Sequence, residues 1–369
     1  MTPDLFSKMA SVFRFYVTGM AMAVALVPVL HGQAAELPGT TSQFVETNGI
    51  RMHVVVAGEG PLVVLAHGFP ESSYSWRHQI SILARAGYRV LAPDLRGYGA
   101  TDRPAETERY NIFELVGDLV GLVRALGERE AVIVGHDWGA QLAAYASLLR
   151  PDIFRATVLL SVPYAPRSEG PQAPMEAAEA ALPEGMTFYQ LYFQQPGRAE
   201  AELEADVRRS LAMAFYSASG SAPPEHRWRP LFRTEDGVLS SVTMPETLPE
   251  WLAPEDLDVY ARQFERSGFR PALNWYRNID RNWRMSAFLT GARLEQPTLF
   301  IGGTVDPILA GGPGRDVYDR LEESVPGLTR KVLLEGKGHW IQQEAPGEVN
   351  RLLLEFLDSL KTDSSSGRT

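Results

Sequence analysis

Residues 132–143 read VIVGHDWGAQLA, in which an apolar run passes through a glycine-flanked turn into a segment with helical character. Gly135 and Gly139 bracket Asp137 with the spacing of a nucleophile elbow, a sharp strand-to-helix turn that presents one side chain at the end of a sheet. Serine is the residue usually expected at that position. The stretch therefore predicts an α/β fold in which a carboxylate lies at the tip of a strained strand-to-helix turn.

Apolar runs alternate with amphipathic stretches on both sides of this turn. Before it, Asn48-Gly49 joins two alternating runs, which is a strong hairpin signal. Buried β-branched runs that alternate with amphipathic helices are typical of a mostly parallel sheet with helices on both faces. The predicted later strands are 61–66, 88–93, 131–135, 156–161, 297–303 and 329–336, and the predicted helices are 76–86, 112–126, 138–149, 317–323 and 348–360.

The alternation stops over residues 163–285, which are rich in Pro, Glu, Ala and aromatic residues and contain helical patterns but no core strand. Because the alternation resumes afterwards, an α-helical cap inserted after the sixth strand explains the chain better than two tandem domains. The predicted organisation is core over 41–162, cap over 163–285 and core again over 286–361. Residues 362–369, TDSSSGRT, have the composition of a disordered tail.

Residues 1–35 have the layout of a secretory signal peptide. Lys8 and Arg14 precede an uncharged segment, 15–30, and small residues follow it in a pattern that suits cleavage near Ala34. We expect a secreted or periplasmic protein. An N-terminal membrane anchor and a poorly ordered extension are the alternatives, although the segment is short for a full membrane span.

Composition narrows the classes of partner. The 45 acidic and 35 basic residues give a formal charge of −10, which argues against nucleic acid or an anionic membrane as the main partner. The chain contains no cysteine, so disulfides and thiolate metal sites are excluded. Neither metal-ligand spacing nor a glycine-rich phosphate loop occurs in the sequence, so no metal and no cofactor are implied. The expected partners are a small molecule and water.

Side chains capable of catalysis follow four of the predicted strands. In such sheets, catalytic groups collect at the carboxyl ends of the strands. The motif HGFPE (67–71) follows the first parallel strand, and Asp137, Asp306 and His339 follow three later ones. A single Asp or His of this kind is often only a helix cap or a loop residue. Together they supply nucleophile, acid and base in the chain order of an α/β hydrolase.

A carboxylate nucleophile requires a different target from a serine. Attack by aspartate on a carbonyl would give an anhydride, so Asp137 suits substitution at a saturated carbon that leaves an alkyl ester on the enzyme. The leaving atom is then a halide or a strained oxygen. Water activated by His339, which Asp306 orients, can attack the ester carbonyl. The backbone N–H groups of Phe69 and Trp138 are the predicted oxyanion hole for that step.

Several motifs resemble those of the soluble epoxide hydrolases of the α/β hydrolase fold, and the matching segments run from about Gln43 to Leu360. They are HGFPE, DLRGYGATD, GHDWGA, YFQQPG, SGFRPALNWYRN and GKGHW. The resemblance implies that two cap tyrosines, Tyr189 and Tyr276, donate hydrogen bonds to the oxirane oxygen. Phenols suit an alkoxide leaving group because they can supply a proton. Tyr192, three residues after Tyr189, is easily confused with it.

Two alternatives remain beside an epoxide hydrolase that converts an apolar epoxide to a vicinal diol. One is a haloalkane dehalogenase, which also has a tryptophan at the position of Trp138, although many of these enzymes have asparagine at the position of Phe69. Fluoroacetate dehalogenases are disfavoured, because they need an arginine near the nucleophile and this chain has Trp138 there. A non-catalytic binding protein of the same fold is the other alternative. The predicted aromatic lining comprises Phe69, Trp76, Phe193, Trp275 and Trp340, whereas Glu71, Arg96 and His136 are interpreted as structural.

Overall fold

The structure, a computed structural model that describes residues 38–366, begins with the predicted hairpin. Strand β1 (Thr40–Thr47) pairs antiparallel with β2 (Ile50–Ala57). Asn48 and Gly49 between them both adopt positive φ, as a tight hairpin turn requires. The hairpin forms one edge of the sheet.

Strands and covering helices then alternate as predicted. The elements of this first part of the core are β3 (Leu62–Ala66), α1 (Arg77–Arg85), β4 (Arg89–Pro93), α2 (Ile112–Ala125), β5 (Ala131–His136), α3 (Trp138–Leu149) and β6 (Phe154–Leu160). Every residue of β3 and β5 is buried, which is expected for strands covered on both faces.

The cap follows β6 and consists mainly of short helices. Its elements are α4 (Pro174–Ala181), β7 (Met186–Phe188), α5 (Tyr189–Tyr192), α6 (Arg198–Leu203), α7 (Val207–Ser217), β8 (Leu231–Arg233), α8 (Pro254–Ser267), α9 (Arg270–Arg277) and α10 (Ile279–Met285). The small antiparallel sheet β7–β8 was not predicted, because strands of three residues are too short to show an alternating pattern.

The second part of the core completes the sheet. Its elements are β9 (Thr298–Gly303), α11 (Gly312–Asp319), α12 (Leu321–Ser324), β10 (Leu328–Leu334), α13 (Ile341–Glu344) and α14 (Pro346–Ser366). The single helix predicted over 317–323 is instead two helices, because Arg320 leaves helical geometry with φ −107° and ψ 19°. Short 3₁₀ turns lie at Ser73–Trp76, Thr107–Tyr110, Pro224–His226, Thr234–Asp236, Val238–Ser241 and Ala287–Leu289.

The main sheet has the order β1-β2-β4-β3-β5-β6-β9-β10. Strand β2 is antiparallel to both of its neighbours, and the remaining pairs are parallel. One hydrophobic cluster includes apolar residues of α1 and α14, and the other includes those of α2, α3 and the cap. The predicted fold class, a mostly parallel sheet with helices on both faces and a helical insertion after the sixth strand, is confirmed.

At the C-terminus the structure differs from the prediction, and at the N-terminus the predicted leader is not described by the structure. Helix α14 continues to Ser366, so a disordered tail from residue 362 is wrong for 362–366. Extending an existing helix costs little free energy, because each added residue contributes a further backbone hydrogen bond. Residues 367–369 and the predicted leader, 1–35, lie outside the described residues. Within 38–366, no helix is both long and apolar enough to cross a membrane.

Candidate active site

Asp137 occupies the turn between β5 and α3 with a φ of 53°, a conformation that residues with a side chain rarely adopt. The surrounding backbone must therefore hold it there. A Cβ on Gly139 would collide with the carbonyl of Ala66, and one on Gly135 would collide with the carbonyl of Gly139. The two glycines in the elbow motif are thus required because strand end and helix start pack in direct backbone contact.

The loop after β3 brings a backbone donor to this carboxylate. The N–H of Phe69 donates to Asp137 Oδ1 at 2.8 Å. A side chain on Gly68 would overlap Asp137, so this neighbour must be glycine. Trp138 is the first residue of α3, where N–H groups have no partner within the helix. The two predicted oxyanion donors therefore lie on either side of the nucleophile turn.

His339 and Asp306 meet Asp137 at the same sheet edge. His339 Nδ1 lies 3.0 Å from Asp306 Oδ2, and His339 Nε2 lies 3.5 Å from Asp137 Oδ2. Asp306 is fully buried, and its Oδ1 also accepts the N–H of Ile308 at 2.9 Å. A carboxylate on Nδ1 fixes the orientation of the ring and turns Nε2 toward the nucleophile.

The charges around His339 determine its protonation. Burial by itself would lower the pKa of His339, but the carboxylates of Asp306 and Asp137 outweigh burial and raise this pKa well above its ordinary value. The two neighbouring carboxylates therefore favour the protonated form of His339 in the free site. Loss of the charge on Asp137 would remove part of what holds the proton.

Tyr189 and Tyr276 project into the site from the cap helices α5 and α9. Their ring centroids lie 5.9 Å apart. Burial, followed by the negative charge of Asp137, raises the pKa of both phenols, so both keep their protons at neutral pH. Gln190 Nε2 donates to Tyr189 Oη at 2.9 Å, which leaves the phenol proton available for another acceptor.

These groups share one cavity between the core and the cap, with a volume of about 100 Å³. The lining includes Asp137, Tyr189, Tyr276 and His339, and apolar side chains dominate the rest. Within the described residues, no group of His, Asp or Glu could hold a metal ion. The arrangement can deliver a carboxylate nucleophile, two proton-bearing phenols and a base to one apolar ligand.

Comparison with known proteins agrees with this chemistry. Residues 61–346 match the α/β hydrolase fold family. Epoxide hydrolase A of Mycobacterium tuberculosis (strain H37Rv) is 48% identical over 326 residues, which cover 87% of this chain and 98% of that protein. The chain belongs to the epoxide hydrolase family of the α/β hydrolase fold. The resemblance seen in the sequence motifs is thereby confirmed.

Other epoxide hydrolases are similar over the same length. Epoxide hydrolase 3 of Siraitia grosvenorii is 41% identical, over 85% of this chain and 97% of that protein. The structure of an epoxide hydrolase from an endophytic Streptomyces has a TM-score of 0.84 at 48% identity and covers 88% of this chain and 97% of that chain. Epoxide hydrolase A from Mycobacterium thermoresistibile has a TM-score of 0.81 at 46% identity, with coverages of 86% and 98%.

The aromatic lining of this epoxide hydrolase is only partly as predicted. Phe69, Phe193 and Trp340 line the cavity, whereas Trp76 and Trp275 do not. Trp76 is fully buried in the cluster that contains α1 and α14. Aliphatic cap residues that the sequence did not single out complete the lining, and they include Leu203, Ala214, Ala218, Val238, Leu239 and Val242.

Trp275 anchors helix α9 instead of contacting the cavity. It is buried, its Nε1 donates to the carbonyl of Arg96 at 3.0 Å, and its ring packs edge-on against Trp138. Adjacent residues of a helix point about 100° apart, so Tyr276 lines the cavity while Trp275 is turned toward the core. The prediction for Trp275 was therefore wrong in role, although the residue supports the tyrosine next to it.

A network of buried hydrogen bonds connects Glu71 and His136 to the segment that carries His339. Glu71 accepts the N–H of Gly68 at 3.1 Å and the side-chain amide of Gln342 at 2.9 Å, and it lies 2.6 Å from His136 Nδ1. His136 Nε2 lies 2.8 Å from the carbonyl of His339. Burial would raise the pKa of Glu71, but His136 outweighs burial and lowers it to about 2. These residues organise the loops, in line with their structural interpretation.

Proposed function

We propose that this epoxide hydrolase converts a neutral, apolar epoxide to a vicinal diol through an alkyl ester on Asp137. One observation carries the proposal: Tyr189 and Tyr276 keep their protons and line the same apolar cavity as the carboxylate nucleophile. Opening an oxirane needs a nucleophile at carbon and a proton source at oxygen, and this cavity contains both.

In the first step, a carboxylate oxygen of Asp137 attacks an oxirane carbon, and the bond between that carbon and the ring oxygen breaks. The developing alkoxide accepts hydrogen bonds and then a proton from the two tyrosines. Once the ester forms, Asp137 no longer carries a charge. The pKa of His339 falls for that reason, and the proton that His339 releases restores the tyrosine.

In the second step, the neutral His339 takes a proton from water, and the resulting hydroxide adds to the ester carbonyl of Asp137. Asp306 stabilises the imidazolium that forms. The N–H groups of Phe69 and Trp138 bind the oxyanion. When this intermediate collapses, the bond to the substrate oxygen breaks and the added hydroxyl gives its proton to the leaving alkoxide, which releases the diol and returns Asp137 to a carboxylate, with His339 again protonated.

The cavity lining supports a neutral substrate. Among the described residues that line it, the ionisable groups are Asp137, His339 and the two tyrosines, and no lysine or arginine is present to bind an acidic substrate. A haloalkane dehalogenase fits the site less well, since a departing halide needs no proton and two phenols would be superfluous. No cofactor enters the proposed steps.

A single turnover in ¹⁸O-labelled water tests this mechanism. The ester route places the label first in the carboxylate of Asp137, because water attacks the carbonyl of the ester and not the substrate carbon. Peptide mass spectrometry of the enzyme and the diol after one turnover measures this directly. Label that appears in the diol in the first turnover contradicts the proposal.

We further propose that residues 1–35 direct export, so that the mature protein is secreted or periplasmic. The support is the order of Lys8 and Arg14, the apolar segment and the small residues up to Ala34. The mature protein would then need no stable membrane partner, and its net negative charge disfavours nucleic acid. Sequencing the N-terminus of protein from the native host tests this, and an N-terminus at Met1 contradicts it.

A further inference from the structure

We infer that a buried ion pair between Glu200 and Arg277, here called the tyrosine clamp, holds Tyr189 and Tyr276 at the separation that ring opening requires. The inference rests on the proposed function, since it assigns positioning residues to its first step. Neither member of the clamp lines the cavity. Both are therefore positioning residues and not catalytic ones.

The clamp joins helix α6 to helix α9. Arg277 Nη2 lies 2.8 Å from Glu200 Oε1, and only 4% and 8% of the two side chains are exposed. Arg277 Nη1 donates to Asn274 Oδ1 at 3.0 Å, and its Nε donates to the carbonyl of Phe193 at 3.0 Å. Glu200 Oε2 accepts the N–H of Gly197 at 2.8 Å. Each partner is thus fixed by several hydrogen bonds of defined direction.

Both tyrosines are attached to this clamp through the backbone. Arg277 directly follows Tyr276 in α9. Phe193, whose carbonyl Arg277 binds, donates its own N–H to the carbonyl of Tyr189 at 3.0 Å. Gln194 Nε2 donates to the carbonyl of Tyr276 at 3.0 Å, which adds a second link between the two segments. The rings themselves meet only through an edge-to-face contact. Both rings also pack against the ring of Phe193, so their separation depends on the bonds that hold Phe193 and the two tyrosines in place.

Because the pair is charged and buried, we infer that its role is to position neighbouring groups and not to stabilise the fold. Desolvation opposes the attraction between buried charges, so apolar residues of equal volume often stabilise a fold as well or better. A guanidinium has five donors in a rigid plane, and it fixes direction better than a flexible ammonium can. Arg277 uses that property to hold three acceptors, Glu200, Asn274 and Phe193, around one point in the cap.

The clamp should affect one chemical step and spare the other. The tyrosines act while the oxirane bond breaks, whereas His339, Asp306 and the N–H of Phe69 serve ester hydrolysis from core loops. Arg277→Lys and Glu200→Gln loosen the clamp and retain side-chain size. We expect either substitution to slow ester formation by about 10- to 100-fold, the cost of a misplacement near 1 Å, and to leave ester hydrolysis within about twofold of wild type.

Both rate constants can be measured with styrene oxide as the probe. Rapid quenching followed by mass spectrometry gives the fraction of enzyme that carries the Asp137 adduct at steady state. Turnover divided by that fraction gives the hydrolysis constant, and the formation constant then follows from the two values. Thermal unfolding of each variant checks that the cap is folded. An unchanged hydrolysis constant also reports an intact core.

The matched control is the exposed pair between Arg208 and Asp258, which joins two other cap helices at 2.7 Å. Arg208→Lys should change neither constant. In a Tyr189→Phe background, Arg277→Lys should have a smaller further effect than in the wild type, since one of the two residues that it positions has lost its hydroxyl.

Three results would overturn the inference: an equal loss in both constants, no loss in either, or full additivity with Tyr189→Phe. If the wild-type enzyme forms no adduct on Asp137, the proposed function fails and not the clamp.

Discussion

The core half and the cap half of the candidate site are held in place by different means. In the core, the backbone fixes Asp137, because its positive φ and the contacts at Gly135 and Gly139 leave no room for another arrangement. In the cap, side chains fix the tyrosines, as the hydrogen bond from Gln194 to the carbonyl of Tyr276 illustrates. The core half is therefore encoded in short motifs, and the cap half in contacts between distant residues.

The two halves also differ in charge. The core half contains the carboxyl groups of Asp137 and Asp306 and the imidazole of His339, and the cap half offers phenols to the reacting oxygen. The negative charge of Asp137 raises the pKa of His339 and of both phenols, so one charge influences both halves. In the proposed mechanism, ring opening needs both halves, whereas ester hydrolysis needs the core half alone.

The loop that carries His339 is where the halves are joined. The N–H of His339 donates to the carbonyl of Ala218 at 2.8 Å, beyond the end of α7. Glu344 accepts the N–H of Gly338 at 3.0 Å and that of Gly220 at 2.8 Å, so one half-buried carboxylate holds core and cap loops together. A substitution in this loop is therefore expected to affect both halves, unlike one in the tyrosine clamp.

The largest effect is expected from His339→Gln, which separates the two steps within the core half. Without the base, turnover should fall by about 10⁴- to 10⁶-fold, as when a member of a catalytic triad is removed. The Asp137 ester should still form and should accumulate, visible as an added substrate mass. His226→Gln, a cap substitution outside the cavity, is the control. Failure of the ester to accumulate would show that the core half does not act in two steps.

Next in size is the loss of the cap donors. Tyr276→Phe or Tyr189→Phe should slow ester formation by about 10²-fold each, since a donor to the developing oxyanion is removed. Hydrolysis of the ester should remain near wild type. Tyr192→Phe is the matched control, because its hydroxyl bonds Glu202 and does not line the cavity. An equal loss in the control would contradict the assignment of the two tyrosines.

A smaller effect is expected on the protonation of His339, which tests the influence of the Asp137 charge. In Asp137→Asn, the pKa of His339 should lie lower than in the wild type, because one of the two raising carboxylates is gone. NMR titration of the imidazole measures both values. Because the pKa of His339 is raised in the folded state, its protonation stabilises the fold at pH values below the unfolded-state pKa of about 6.5. This stabilisation is lost as the pH rises through the folded-state pKa. An unchanged pKa would mean that Asp137 does not hold the proton.

The core half could be predicted because its signals are local. The strand predicted over 131–135 is Ala131–His136, and the helix predicted over 138–149 is Trp138–Leu149, since apolar runs and glycines define both. The chain order of Asp137, Asp306 and His339 then follows from the strand ends. The network of Glu71 could not be predicted, because its partners are far away in sequence.

The cap half resists such prediction for a physical reason. Five consecutive residues of α9, from Ala272 to Tyr276, are buried, and Trp275 and Tyr276 both lie opposite the polar face that Arg270, Asn274 and Arg277 form. Periodicity identifies one buried face, and here several faces are buried at once. For this reason the sequence predicts Trp275 as a lining residue, and the structure corrects that prediction. Tyr276 was recognised only through its motif.

The smallest effect is expected from Trp275→Phe, which tests this correction. The carbonyl of Arg96 loses its partner and a buried contact is reduced, so the free energy of unfolding should fall by about 1–3 kcal/mol, measured by urea denaturation. Relative rates on small and bulky epoxides should stay the same, because Trp275 does not line the cavity. Phe193→Leu, which does change the lining, should alter those relative rates. A shift in substrate preference in Trp275→Phe as large as that in Phe193→Leu would restore Trp275 to the cavity wall.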